Sequence, residues 1–200
     1  MGLQGLPTPA YPYGLFTRTG RFIGPTSLAL ATNTYGVVSG RLIALPVYIA
    51  QDTTAVAISV ETTTPAGTTG KLRLGIWKDN GAGYPGVLVL DVGTANEIDL
   101  TTAAGVKSVT IAQTLPPGLY WLALAAAYTG TQPVLRAGGG TNTHNFMGVT
   151  TSQITGSSVY TGYADGGGLN TWASGNALPN PYTAGQSASG MSLPFILLAT

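Results

Sequence analysis

The residue types that could transform a substrate are few in this chain, and nothing in their spacing joins them into a reacting set. A nucleophilic triad needs a base. The one histidine, His144, sits in Thr-Asn-Thr-His-Asn with no nucleophile motif in reach, and there is no cysteine. It reads as a loop imidazole facing solvent. Glycoside cleavage needs two facing carboxylates, and no spacing pairs Asp52, Glu61, Asp79, Asp91, Glu97, Asp99 or Asp165. Asp79-Asn80-Gly81 and Asp165-Gly166 carry the oxygens that calcium takes. The same residues form ordinary turns, because Asn and Gly tolerate positive φ, and no second acidic cluster adjoins either. The expectation is a non-enzyme with no metal and no cofactor.

Binding chemistry is better represented. Trp77, Tyr84, Trp121 and Trp172 are the kind of side chain that stacks on sugar rings or fills a protein interface. By alternation Trp77 lies opposite Leu74 and Ile76, which predicts an outward position on its sheet, whereas Trp121 lies in a strand apolar on both faces and reads as core. Tyr11, Tyr13, Phe16 and Phe22 stud a Pro-rich N-terminal stretch that also holds Pro7, Pro9, Pro12, Pro25 and Tyr35. Proline fixes an extended backbone and withholds a donor. Residues 1–35 therefore read as an extended arm lying along another surface. The candidate partner-binding residues are Tyr11, Tyr13, Phe16, Phe22, Trp77, Tyr84 and Trp172.

The elements that must position these groups are strands. Ile43, Leu45, Val47 and Ile49 alternate with Leu42, Ala44, Pro46 and Tyr48, where Pro46 suggests an edge or a bulge. Val56, Ile58 and Val60 alternate with Ala57, Ser59 and Glu61. Leu72, Leu74 and Ile76 alternate with Lys71, Arg73 and Trp77. Short strands are expected at Ile98–Leu100, Val109–Ile111 and Val134–Arg136. After the Pro116-Pro117-Gly118 turn, Leu119 to Ala127 is apolar on both faces, as a central strand should be. Residues 137–190 lose the alternation and read as long Gly-, Asn- and Ser-rich loops holding Tyr160, Tyr163, Trp172 and Tyr182. A final strand is expected at about 193–199. Closely spaced strands without helices predict an all-β fold: one antiparallel β-sandwich over residues 36–200, jelly-roll-like in topology.

Composition narrows the partners. Only 8% of residues are charged, against 44% hydrophobic, and the formal net charge is +1. Lys71, Lys78, Lys107, Arg18, Arg21, Arg41, Arg73 and Arg136 are scattered singly. That is no basis for tracking phosphates, so nucleic acid is not expected. The longest apolar runs fall short of the ~20 residues of a membrane span. With no basic region leading into an apolar stretch, no signal peptide is expected, and the chain reads as made in a cytoplasm.

Three stretches, RLIALPVYIAQDTTAVAISVETTTPAG, LRLGIWKDNGAGYPGVLVLDVGT and GVKSVTIAQTLPPGLYWLAL, carry a likeness. The region from Arg41 to Ala127 resembles a β-sandwich module of tailed-bacteriophage virion proteins, both tail or fibre components and capsid-associated ones. The resemblance implies a virion location, no catalytic residues, and the major capsid protein or another virion protein as partner. Its leading implication is a capsid decoration protein that cements the shell as a homo-oligomer, with a trimer favoured. The alternative is a tail-associated receptor- or carbohydrate-binding module, which requires Trp77, Tyr84 and Trp172 exposed together around a groove.

Overall fold

The computed structural model describes residues 22–23, 29–139, 160–164, 172–182, 186–189 and 193–200. They form two seven-stranded sheets whose strands pair antiparallel. Sheet A holds β1 (Phe22–Ile23), β2 (Ala29–Gly36), β4 (Thr53–Thr64), β8 (Gly105–Leu115), β10 (Val134–Gly139), β13 (Leu193–Pro194) and β14 (Leu197–Ala199). Sheet B holds β3 (Leu42–Ile49), β5 (Thr69–Asp79), β6 (Pro85–Asp91), β7 (Ile98–Asp99), β9 (Gly118–Thr129), β11 (Tyr160–Ala164) and β12 (Gln186–Ser189). Among the described residues the only helical element is a 3-10 turn at Thr94–Asn96, and no helix is long and apolar enough to cross a membrane. The fold is the antiparallel β-sandwich that the alternation predicts.

The core between the sheets follows directly from period-2 patterning. Ile43, Leu45, Val47 and Ile49 of β3, Leu72, Leu74 and Ile76 of β5, and Leu122, Leu124 and Ala126 of β9 all face sheet A. Sheet A answers with Ala55, Ile58, Val60, Val109, Leu135 and Leu198. β9 lies between β3 and β5 and pairs with each along nearly its whole length. Burying one of its leucines contributes about 1.5–3 kcal/mol.

Several expectations change. Residues 29–35, read as the end of an arm, form β2 together with Gly36, and β2 pairs with β10 from Gly36↔Val134 to Ala29↔Gly139. The aromatic and proline content just upstream hides this strand from periodicity. Val56 does not join Ile58 and Val60 in the core but is 49% exposed. The β4–β8 register slips between Ala55 and Ala57, so Ala55 points inward in its place, as irregular pairing allows. Pro46 lies in an interior strand, paired with Trp121. Among the described residues β3 pairs with β11 at Ile43 and Ala44, so the ladder on that side stops before Pro46. The 137–190 stretch, read as loops, supplies the end of β10 and the strands β11 and β12.

The face of β4 and β8 turned away from the core is lined with hydroxyls. Thr54 sits opposite Thr114 and Ser59 opposite Ser108, with oxygens 3.3 and 2.8 Å apart.

Leu124→Ala should leave a cavity at the centre of sheet B and cost about 3 kcal/mol. The urea midpoint should fall with the slope unchanged, whereas Val106→Ala, at a position 65% exposed, should leave the midpoint where it is.

Candidate functional site

The second apolar cluster lies on the other face of sheet B, away from sheet A. Leu42, Ala44, Trp77, Trp121, Ala123 and Ala125 come from β3, β5 and β9, and Trp172, Leu178 and Tyr182 come from residues 172–182. That segment is a strap laid across the sheet. It begins beside β3, where the Trp172 N–H donates to the Gly40 carbonyl at 3.1 Å. It ends at β6, where the Tyr182 N–H donates to the Gly86 carbonyl at 3.0 Å and the Asn180 Oδ1 accepts the Leu88 N–H at 3.1 Å. These bonds occupy backbone groups of a strand that would otherwise be an open edge.

Trp77 does point away from the inter-sheet core, as its alternation predicts, but it is not exposed. It is 0% accessible because the strap covers it, and Trp172 is only 7% accessible. Trp77 and Trp121 are cross-strand partners on β5 and β9. Each indole N–H of the layer has an acceptor: Trp77 Nε1 donates to the Pro179 carbonyl at 3.1 Å, Trp121 Nε1 to Asp79 Oδ1 at 2.8 Å, and Trp172 Nε1 to the Asn176 carbonyl at 2.8 Å. Buried indoles need such partners. Tyr182 meets Trp77 edge-on with ring centroids 5.6 Å apart. Tyr84, half-buried at the rim, meets Tyr163 and Tyr182 at 4.6 and 5.6 Å. Trp77, Tyr84 and Trp172 therefore belong to one layer, but they do not form an exposed groove. Trp121 is core in burial, as expected, yet belongs to this outer layer. Of the remaining candidates, Phe22 lies in β1 opposite Ala199; Tyr11, Tyr13 and Phe16 fall outside the described residues, as do His144 and Asp165.

An ionic cluster fastens the strap. The Arg73 side chain, on the strap face of β5, is 5% exposed. Its guanidinium grips Asp91 in a fork, Nε to Oδ1 at 2.6 Å and Nη2 to Oδ2 at 2.9 Å. Nη1 reaches the Thr94 hydroxyl at 2.9 Å and Glu97 Oε1 at 3.3 Å. The carboxylates then take donors from the strap: Leu178 N–H on Asp91 Oδ2 at 3.1 Å, Ser174 Oγ on Glu97 Oε2 at 2.6 Å and Gly175 N–H on Glu97 Oε1 at 2.9 Å. Bidentate, hydrogen-bonded pairing of this kind is what makes a buried ion tolerable. Gly75 lets the strap come close, since a Cβ there would stand 2.6 Å from Leu178 Cδ1 and 2.8 Å from the Trp77 ring.

Burial pushes the Asp91 carboxyl up, but the Arg73 fork and the Gly93 and Leu178 N–H donors outweigh it and hold the group below its usual value. Asp99, near the surface, is drawn down to about 2 by the Thr101 hydroxyl and N–H and by Lys71. Arg73, Asp91 and Glu97 went unrecognised as a set because eighteen and twenty-four positions separate the arginine from its acids. Asp79 is a turn residue: Oδ2 accepts the Gly81 N–H at 2.7 Å and the Gly83 N–H at 3.3 Å. Among the described residues no three His, Cys, Asp or Glu gather as a metal site. The arrangement clamps and covers.

A carboxyl whose folded pKa lies below its unfolded one adds stability that is complete above the unfolded value, about 3.9 for Asp. That stability disappears as the pH falls through the folded value. Acid should therefore loosen the strap through Asp91 below the ordinary carboxylate range, read as a red shift of tryptophan emission. Asp91→Ala should bring the same shift at neutral pH and cost about 3 kcal/mol, because it leaves Arg73 buried without its main partner. Gly75→Ala should overpack the strap contact and cost about 1–3 kcal/mol by urea unfolding.

No protein-family model matches the chain, and no curated protein or solved structure does either.

Proposed function

We propose that this chain is a non-enzymatic structural protein of a tailed-bacteriophage particle, acting as a capsid decoration protein that binds the assembled shell and stabilises it. The observation that carries this reading is how the acids are used. Glu61, Asp79, Asp91, Glu97 and Asp99 each hold framework donors: Arg136, Trp121, Arg73, the strap and Lys71 respectively. Groups committed to cohesion in this way support a scaffold role over a reaction.

The residues that carry the virion resemblance build this scaffold. LRLGIWKDNGAGYPGVLVLD runs through β5, its turn and β6, and PPGLYWLAL opens β9. These blocks contain Arg73, Trp77, Asp79, Asp91 and Trp121, the strap's seat. A decoration protein contributes by burying surface on the assembled particle and shifting the shell toward its assembled state. The surface for that contact is assigned to the arm, now residues 1–21 because β1 and β2 belong to sheet A. A symmetric trimer fits the same role. The tail-tip sugar-binding alternative draws less support, because Trp77 lies beneath the strap and Trp172, part of the strap itself, is buried against the sheet.

Removal of residues 1–21 should leave the urea midpoint unchanged and abolish co-sedimentation with particles of the source phage. Antibody labelling of intact particles in the electron microscope should place the full-length chain on the shell. Labelling of the tail alone, or a chain missing from purified particles, would overturn the decoration role.

A further inference from the structure

The loop between β5 and β6 holds Asn80 followed by Gly81, and its hydrogen bonds assemble more than a turn. Asn80 is exposed. Its Oδ1 accepts the Ala82 N–H at 2.8 Å, which folds the side-chain amide back across the intervening Gly81 peptide. That bond also draws electron density from the amide carbonyl, as a donor does at an oxyanion site. The Gly81 N–H points to the Asp79 carboxylate, 2.7 Å away on Oδ2. Asp79 is held in that position from its other oxygen by Trp121 Nε1 at 2.8 Å. Gly81 carries φ +90, and a Cβ built there would meet nothing within 4 Å. The loop is open to water, and glycine leaves its own nitrogen unshielded.

From this geometry we propose that Asn80 is a self-modifying site, at which the folded protein accelerates the loss of its own side-chain amide. The Gly81 nitrogen attacks Asn80 Cγ, and the N–Cγ bond forms as the Cγ–Nδ2 bond breaks. The Gly81 proton passes by way of the Asp79 carboxylate to the departing nitrogen, which leaves as ammonia. The resulting five-membered succinimide takes up one water and opens to aspartate or isoaspartate. Nothing is oxidised or reduced, and water is the only co-reactant. The Ala82 N–H polarises the carbon under attack, and Asp79 acts as the positioned base. The product adds a negative charge beside Asp79. Its isoaspartyl form also lengthens the backbone by one carbon in the loop that ends at Tyr84, where the Asn80 N–H now donates to the Tyr84 carbonyl at 2.9 Å.

The test compares the full-length protein, folded in buffer and unfolded in urea, at the same neutral pH and temperature. Mass spectrometry follows the tryptic peptide from Asp79 to Lys107, with fragmentation to separate Asn80 from Asn96. Asn80 should gain one mass unit faster in the folded protein than in the unfolded chain, while Asn96, whose amide donates to the Val92 carbonyl at 2.8 Å, should show no acceleration. Asp79→Asn should slow the folded-state rate about a hundredfold, the lower end of what a positioned base contributes. An equal or slower rate in the folded protein overturns the proposal, and so does an unchanged rate in a folded Asp79→Asn variant. If that variant does not fold, the wild-type comparison decides alone. Either result leaves the shell-binding assignment untouched.

Discussion

Arg73 is a charge placed where a small sandwich would ordinarily put hydrocarbon, and the outer half of sheet B is arranged to keep it paired. Taking a guanidinium out of water is costly unless its donors find acceptors in good geometry. Asp91 supplies both oxygens of the fork, and Thr94 and Glu97 take up the remaining contacts. The carboxylates that satisfy Arg73 have lone pairs left over. The strap fills these with Ser174, Gly175 and Leu178. Arginine, acids and strap therefore form one unit, in which each member satisfies what the others leave open.

The aromatic layer depends on that unit. Trp77 and Trp121 sit on a sheet face that would be wet without residues 172–182 above them. The strap brings Trp172, Leu178 and Tyr182 down onto that face, and the absence of a side chain at Gly75 sets how close it comes. The centre of sheet B is thus dry on both sides, which is why β9 reads as an unbroken apolar run. Among the described residues sheet A packs a core on one side only, and β8 shows the plain alternation of a half-covered strand.

Alternation made sheet B legible in advance because its central strands are regular: residues 43–49, 72–76 and 119–127 keep the period that the pleat imposes. It failed at Val56, where the register slip in β4 reverses the facing of adjacent residues, a feature of pairing and not of composition. It failed at 29–35 because a strand preceded by prolines and aromatics has no clean start. The strap was invisible for a deeper reason. It has no period of its own, and its bonds reach to residues 87 and 78 positions away. Its one local sign was the scatter of Trp172, Leu178 and Tyr182 through polar sequence. Trp77 shows the same limit, since periodicity fixes the face of a sheet but says nothing of what lies over it.

Among the described residues, the face of β4 and β8 turned away from the core meets solvent largely through hydroxyls. Thr54, Ser108, Thr110 and Thr114 are exposed there, and the nearby Glu61 and Arg136 neutralise each other at 3.0 Å. Among the described residues the polar groups of this face are mainly neutral dipoles, set beside the exposed Val56 and Val106, so ionic strength has little to screen. Strongly excluded salts such as sulfate, which favour burial of surface by withdrawing from it, are the solutes to which its solubility responds.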